Sequence, residues 1–518
     1  LEQALERSRS LFAFIENYES VYAGLVRRAG LISFADITTS LAERADDLDT
    51  DDALDWRSQV AYRIDQRFDH WLLDEFQDTS RQQWTILRCF IEEVLMDDAA
   101  QRSFFYVGDT KQAIYGWRGG DAELFREIYE RYATIKPADP LTRSWRSTAP
   151  VIEMVNAVFG ELAEFSADLK LPDETLRKWE LAWNAHEVAA PRQDRPGYAS
   201  WCAVENDPES AAPAQHEAVL NILQEVDPIT HKIECAVLLR KNDDVAELAA
   251  YLQTAGIPVA VEGKSNPCTD NALGSAILAA LQMAAHPGDQ LAAAIARGLP
   301  CASAWGLDAP ETFREATLHS LAEYGYVDTL QNWIERAALG EEEGFLKSRS
   351  EAILAAAENF DARSNSSEGI DAFIATIQTL EIQEAEARDA IRMMTVHQAK
   401  GLGFDMVIVC GLDQPGRNTT TDELVLGPDK RHPQWGLLMP RKEIAERDPL
   451  LNALKEQAEA EAKTSELCGA YVALTRAKQA LYVISNALGK KSSATHFGRH
   501  LQLVFEEDWE TGDSKWFQ

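Results

Sequence analysis

Short apolar runs that alternate with helical stretches constrain the fold of this chain more than any other feature. Runs of strand length occur at 70–73, 103–107, 232–239, 406–410 and 480–484, and helical patterns separate them. Such alternation is typical of α/β proteins with parallel sheets. Because 518 residues are too many for a single hydrophobic core, we expect roughly two to four domains.

Two long segments do not follow this alternation. Residues 170–215 are rich in Pro, Asp and Trp, and the pattern predicts an irregular connection there. Residues 296–388 show a helical pattern nearly throughout. We therefore predict a helical insertion between two parts of one α/β domain.

Composition limits the location and the partners of the chain. A net charge of −34 taken alone argues against nucleic-acid binding, which usually needs a basic surface. The segment Asp46–Asp55 supplies six of the aspartates, and we expect it to be a solvated loop or helix end. A local basic groove would nevertheless be enough to bind nucleic acid.

Seven scattered cysteines without a C-x-x-C pair argue against a clustered metal site and suit a reducing cytoplasm. No apolar run is long enough to span a bilayer, so no membrane partner is expected.

The segment Trp71–Thr79 combines an apolar strand with two adjacent carboxylates, Asp74 and Glu75, at its end. Ligands of open α/β sheets bind beyond the carboxyl ends of the strands. One carboxylate there can hold Mg²⁺, usually through water, and the next can orient or deprotonate a water that attacks a phosphate. The alternative is an acidic helix N-terminus, which the pair alone would favour.

The segment Phe104–Asp121 runs from a strand into a glycine-punctuated loop that carries Tyr115, Trp117 and Arg118. Aromatic rings with an arginine can stack bases and contact the backbone of a single nucleic-acid strand without reading its sequence. An aromatic core cluster beside a surface arginine is the alternative, at about even weight for this loop alone.

Together these segments resemble motifs II and III of UvrD-like superfamily 1 DNA helicases. The later motifs follow in order at 141–147 with 155–156, 236–240 with 252–259, 395–405 and 471–478. The motifs are most similar to those of the branch that contains AddA and the exonuclease V beta subunit. The resemblance implies RecA-like P-loop NTPase motor domains with a helical insertion. The implied domains are 1–140 (the C-terminal part of the first motor domain), 141–295 (the first part of the second), 296–388 (the insertion) and 389–518 (the rest of the second, with the tail).

The resemblance also implies roles for single residues, with ATP and Mg²⁺ as cofactors. Asp74 would hold Mg²⁺, Glu75 would activate water, and Gln112 would sense the γ-phosphate. Arg146 and Arg476 would act as arginine fingers, and Trp145 would pack on the adenine. The DNA-binding set implied by the family is Tyr115, Trp117, Arg118, Thr395 and His397.

Three departures from the family pattern stand out. The phosphate-binding loop G-x-x-x-x-G-K-[ST] does not occur, and Gly263-Lys264-Ser265 lacks the required spacing. Because the chain also opens without Met, in what reads as the middle of a helix, we expect a fragment that is inactive by itself. Gly403 stands where the family usually has a ribose-binding Glu, and Ser144-Trp145-Arg146 replaces Asn-Tyr-Arg.

The resemblance therefore implies an ATP-dependent 3′→5′ DNA helicase or translocase of double-strand break repair and recombination. The expected partners are single-stranded DNA, 3′-tailed duplex and a second helicase or nuclease subunit. The alternative function is a non-catalytic helicase-like scaffold that binds DNA.

Overall fold

A computed structural model describes most of the chain. The described residues are 2–46, 59–60, 62–63, 68–96, 101–205, 213–269, 271–298, 301–337, 343–363, 369–383, 389–413, 424–427, 434–489, 492–505 and 507–518. The acidic segment after Asp46 lies outside them. The chain forms two compact units, one of Leu1–Val259 with Asp389–Gln518 and one of Ala260–Arg388. In the described ranges, no helix has the length and apolar character needed to cross a membrane.

The first part of the larger unit contains a short parallel sheet covered by helices. Its elements are α1 (Glu2–Leu25), α2 (Phe34–Asp46), β1 (His70–Leu73), α3 (Arg81–Leu95), β2 (Ser103–Tyr106) and α4 (Leu124–Arg131). β1 and β2 pair in parallel, with Leu73 opposite Tyr106. Helix α3 begins at a capping box, in which Ser80 accepts from the Gln83 backbone and Gln83 accepts from the Ser80 backbone. This start fixes the turn that follows β1.

The chain then enters the second part of the larger unit. The elements are β3 (Arg143–Ser144), α5 (Ala149–Gly160), α6 (Ser166–Leu169), α7 (Asp173–Ala182), β4 (Glu187–Val188), α8 (Ala190–Gln193), β5 (Tyr198–Val204), α9 (Ala214–Val226), β6 (Cys235–Leu239) and α10 (Asn242–Thr254), and β7 (Val259–Val261) begins at the last residue of this part. The prediction of an irregular connection at 170–215 was wrong, because this stretch contains α7 and the seven-residue strand β5. The small and polar residues Ala199, Ser200 and Cys202 in β5 hid the strand pattern.

The smaller unit is helical. Its elements are β8 (Lys264–Ser265), α11 (Ala272–Ala285), α12 (Gln290–Gly298), α13 (Ala302–Trp305), α14 (Pro310–Arg336), α15 (Glu343–Arg363), α16 (Ile370–Gln378) and β9 (Ile382–Gln383). Its core contains residues of α11, including Ile277 and Leu281, together with later aromatic residues such as Trp333 and Phe373. The unit thus begins at Ala260, whereas the helical pattern suggested an insertion over 296–388.

The larger unit resumes with the remaining elements. These are β10 (Ile391–Thr395), β11 (Phe404–Val409), β12 (Leu424–Gly427), β13 (Trp435–Leu438), α17 (Lys442–Ala445), α18 (Pro449–Leu474), β14 (Ala477–Asn486), α19 (Phe497–Phe505) and β15 (Trp509–Gly512). The strands β12 and β13 pair in antiparallel fashion. Helix α1 packs against β13, where the Ser8 hydroxyl accepts from the Leu438 backbone N–H.

A seven-stranded sheet organises the second part, in the order β15-β5-β14-β11-β6-β10-β7. β5, β14, β11, β6 and β10 pair in parallel, and β15 runs antiparallel to β5 at the edge. All five residues of β6 are buried, as expected for a central strand that is covered on both faces. The predicted α/β fold with parallel sheets is confirmed, and the sheet is consistent with a RecA-like fold. Its loops hold much of the candidate site.

Candidate nucleotide and DNA site

The two carboxylates predicted at a strand end follow β1 directly. Glu75 has a left-handed backbone conformation, with φ of 51°, and its N–H donates to the Asp74 carboxylate at 2.8 Å. The chain then enters a short 3₁₀ turn, Phe76–Asp78. Both carboxylates therefore lie in a tight loop between β1 and α3, as the strand-end argument predicted.

Gln77 connects this loop to the loop after β2. It is buried; its amide nitrogen donates to the Glu75 carboxylate and its amide oxygen accepts from the Asp109 N–H at 3.0 Å. A Cβ atom at Gly108 would collide with the Gln77 amide oxygen. Glycine is therefore needed for this close approach. Sequence reasoning gave Gln77 no role, although it stands inside the quoted segment.

Gln112 lies at the end of a 3₁₀ turn, Thr110–Gln112, that Asp109 caps by accepting from the Lys111 N–H. Its amide nitrogen donates to the Asp109 carboxylate at 3.0 Å, and its amide oxygen accepts from Arg476 Nη2 at 3.2 Å. The side chain is thus held at both ends, once from each part of the larger unit.

Arg476 stands between α18 and β14 and is 2% exposed. Besides Gln112, its guanidinium donates to the Val472 and Leu402 carbonyls and to the Thr475 hydroxyl. Burial, followed by the positive charge of Arg146, lowers the pKa of Arg476 to about 10. The side chain stays charged at neutral pH, and an anion beside it would offset the desolvation.

Arg146 follows β3 and donates to the Thr475 carbonyl at 3.0 Å. Burial lowers its pKa, while the nearby Glu75 carboxylate opposes that shift. Over the described ranges, neither Arg146 nor Arg476 forms an ion pair with a carboxylate. The two guanidiniums and Gln112 thus make a cationic, donor-rich cluster near Glu75, the chemistry that binds a phosphate.

The structure brings these predicted residues into one groove. A cavity of about 3800 Å³ is lined by residues that include Asp74, Glu75, Gln112, Arg146 and Arg476. Trp145 is another lining residue and is exposed, so its ring is available to a planar ligand. In the part of the chain that is described, no group of three or more His, Cys, Asp or Glu residues forms a metal cluster. A single carboxylate such as Asp74 can hold Mg²⁺ only where water and phosphate oxygens complete its coordination.

The aromatic loop after β2 lines the same groove. Trp117 is 67% exposed, and the Arg118 guanidinium lies 4.6 Å from its ring centroid. Tyr115 is half-buried, and its hydroxyl donates to the His397 carbonyl at 3.3 Å. The sequence also allowed these rings to form an aromatic core cluster. The half-buried Tyr115 agrees with that alternative in part, whereas the exposed Trp117 does not.

The two predicted DNA residues after β10 differ in exposure. His397 is exposed beside the aromatic loop, with its ring centroid 6.4 Å from that of Tyr115. Thr395 is buried, and both its hydroxyl and its N–H donate to the Gln398 amide oxygen. His397 is therefore accessible from the groove, whereas the Thr395 side chain is bonded within the turn.

A polar cluster behind Gln112 was missed by sequence reasoning. The Tyr471 hydroxyl lies 2.6 Å from His186 Nε2, and the Lys111 ammonium lies 5.4 Å from the Tyr471 ring centroid. Asn156 makes two hydrogen bonds to the backbone of His186. Tyr471 and Asn156 belong to quoted motifs, but nothing in the sequence singled out His186.

Two models of helicase domains match the chain. The UvrD/REP helicase N-terminal domain matches residues 1–133, and the UvrD-like helicase C-terminal domain matches residues 347–487.

Relatives at low identity extend over most of the chain. One is a subunit of the ATP-dependent helicase/nuclease from Anoxybacillus flavithermus, which is 23% identical over 88% of this chain and 42% of its own length. The RecBCD enzyme subunit RecB of Haemophilus influenzae is 25% identical, over 92% of this chain and 41% of its own length. The chain thus spans about two fifths of the length of these relatives. The chain thus contains regions that match both the N-terminal and the C-terminal domain of the UvrD-like helicases.

Proposed function

We propose that this chain is most of the motor, without its phosphate-binding loop, of an ATP-dependent 3′→5′ DNA helicase or translocase that acts in double-strand break repair and recombination. The observation that carries the proposal is the meeting of Arg146 and Arg476 with Gln112 beside Glu75. Phosphoryl transfer depends almost entirely on positioning and on electrostatic stabilisation, and this cluster offers both.

Each member of the cluster has a separate task in this proposal. Asp74 holds Mg²⁺, which neutralises charge on the phosphates. Glu75, whose carboxylate accepts from the Gln77 amide, orients or deprotonates the attacking water. Arg146 and Arg476 stabilise the charge that develops on the phosphoryl group, as arginine fingers do.

The contact between Arg476 and Gln112 suggests how ATP binding moves the motor. The two side chains satisfy each other here, with 3.2 Å between Nη2 and Oε1. A γ-phosphate in the cluster would compete for the Arg476 donors and leave the Gln112 amide to bond the phosphate. Replacing the Arg476–Gln112 hydrogen bond with bonds to the phosphate would make the packing between the two parts of the larger unit depend on whether ATP is bound.

DNA is the second ligand in the proposal. The exposed Trp117 ring, the Tyr115 ring and the exposed Arg118 offer stacking and a backbone contact for single-stranded DNA or the tail of a 3′-tailed duplex. His397 approaches from the turn after β10. Because the relatives are named as subunits of larger enzymes, we propose that the protein partner is a second helicase or nuclease subunit.

The competing function is a scaffold that binds DNA without hydrolysing ATP. Its support is the lack of a phosphate-binding loop in the sequence. The two desolvated guanidiniums, which have no carboxylate partner among the described residues, favour the motor, because a scaffold gains nothing from the cost of burying them.

Strand displacement tests the proposal in a protein that carries this chain together with a phosphate-binding loop. Duplexes with a 3′ tail or a 5′ tail are compared with and without ATP. We expect ATP-dependent unwinding of the 3′-tailed substrate, and Glu75→Gln should abolish it. DNA binding without any ATP-dependent unwinding or translocation would support the scaffold, and preference for the 5′ tail would overturn the direction.

A further inference from the structure

Lys400 lies in the turn between β10 and β11, yet its side chain is only 5% exposed. Its ammonium forms an ion pair with the Asp78 carboxylate, which belongs to the other part of the larger unit. The same ammonium lies 4.8 Å from the centroid of the Tyr115 ring. Lys400 therefore holds a carboxylate and an aromatic face at once, which is a favourable use of a buried cation.

The loop that carries Tyr115 is docked on the turn that carries Asp78. The Asp121 N–H donates to the Thr79 carbonyl at 3.1 Å. Gly120 approaches the Asp78 carbonyl so closely that an added Cβ would lie 3.0 Å from its oxygen. Tyr115 is thus attached by its loop, by its hydroxyl bond to His397 and by the Lys400 ammonium.

A lysine in this groove would ordinarily be assigned to a DNA phosphate. Two observations argue against that assignment. The side chain is almost completely buried, and its charge is already satisfied by Asp78. Asp78 in turn depends on Lys400, because its other carboxylate oxygen is buried and has no hydrogen-bond partner among the described residues.

We infer that Lys400, paired with Asp78, is a positioning residue that fixes the Tyr115 ring for DNA stacking and does not itself contact a phosphate. The inference rests on the proposed DNA-binding role of the aromatic loop. In this inference, the ion pair of Lys400 with Asp78 connects the turn after β1 to the Tyr115 ring.

The first test measures single-stranded DNA binding by residues 1–518 across a range of salt concentrations. Lys400→Met should weaken binding about tenfold at every salt concentration, because a misplaced Tyr115 loses most of one stacking contact. The slope of log affinity against log salt should not change. The matched control is the exposed Arg118, for which Arg118→Met should reduce the slope by about 0.7, as expected when one phosphate contact to a single strand is lost.

The second test separates positioning from stability. Lys400→Met leaves the half-buried Asp78 carboxylate without its cation and should lower the unfolding temperature. The double variant Asp78→Asn/Lys400→Met removes both charges and should recover most of that loss. If Lys400 positions Tyr115, DNA affinity stays low in the double variant. If DNA affinity recovers with the unfolding temperature, the role is only structural and the inference fails.

The controls distinguish failure of the inference from failure of the proposed function. Lys400→Arg keeps the charge over the ring and should retain more affinity than Lys400→Met. A reduced salt slope in Lys400→Met would make Lys400 a phosphate contact and overturn the inference alone. If Trp117→Ala binds DNA as tightly as the unmodified chain, the DNA-binding role of the loop fails and the inference falls with it.

Discussion

Glu75 has a backbone conformation that few residues other than glycine adopt, with φ of 51°. Such conformations persist where the surrounding structure determines them, and they concentrate at functional sites. Here the Asp74 carboxylate and the Gln77 amide hold the residue in place. The sequence could predict the pair of carboxylates, since it ends an apolar strand. The strain and the Gln77 contact depend on the loop after β2, which local pattern does not show.

Replacing Glu75 tests its assignment as the residue that activates water. In a protein with a phosphate-binding loop, Glu75→Gln should retain ATP binding and lose about 10²-fold or more in hydrolysis, as expected for a lost general base. Binding of a fluorescent ATP analogue and steady-state hydrolysis are the measurements. Glu130→Gln, an exposed carboxylate on α4, is the matched control. An unchanged kcat in Glu75→Gln would remove Glu75 from the mechanism.

Gly403 provides a second prediction about a single residue. Its φ is not in the left-handed region, and an added Cβ would lie 3.2 Å from Arg146 Nε, so a side chain fits only if Arg146 adjusts slightly. Without a carboxylate here, the motor should discriminate poorly between ATP and dATP. A hydrogen bond from a ribose hydroxyl to a charged acceptor would contribute roughly 1.5–3 kcal/mol.

The measurement for Gly403 is KM for ATP and dATP in DNA-stimulated hydrolysis. Gly403→Glu should restore preference for ATP, whereas Gly403→Ala should not. The Ala variant also reports the effect of crowding Arg146. Strong preference for ATP in the unmodified protein would show that another group contacts the sugar.

Strands and loops show where sequence reasoning succeeds and where it stops. β1 was predicted with its observed bounds, since an apolar run is bounded there by polar residues. β6 begins at Cys235 rather than at 232, because Lys232 has φ of 56° in a turn closed by the Ile233 bond to Pro228. β5 was missed because its burial comes from neighbours β14 and β15, which lie far away in sequence.

The aromatic loop after β2 gives a prediction about an element and not only about a residue. Trp117→Ala should weaken single-stranded DNA binding by about 1–3 kcal/mol, equally for different sequences, because stacking does not read base identity. Tyr115→Ala should behave similarly. Fluorescence anisotropy with several oligonucleotides and thermal unfolding are the measurements, and Tyr129→Ala on α4 is the control. Normal DNA binding with a lower unfolding temperature would show that these rings stabilise the fold and do not bind DNA.

For the molecule as a whole, net charge was a poor guide to the site. The chain carries a net charge of −34, yet the groove is not acidic overall, because arginines such as Arg146 and Arg476 line it beside carboxylates such as Asp74 and Glu75. The motifs predicted that Glu75, Gln112 and Arg476 would lie in one site, because these motifs follow one another in the order typical of the resembled family. They could not predict His186 beside Tyr471, or the pairing of Lys400 with Asp78, since these contacts join segments that are distant in sequence.

The most direct measurement is ATP hydrolysis with and without single-stranded DNA, in a protein that joins this chain to a phosphate-binding loop. We expect hydrolysis that DNA stimulates, and a loss of about 10³-fold or more in Arg476→Ala, as for other arginine fingers. Residues 1–518 alone should show no hydrolysis, since nothing in them replaces the loop. Hydrolysis that ignores DNA, or that persists unchanged in both Arg146→Ala and Arg476→Ala, would contradict the assignment of this cluster as the motor's catalytic site.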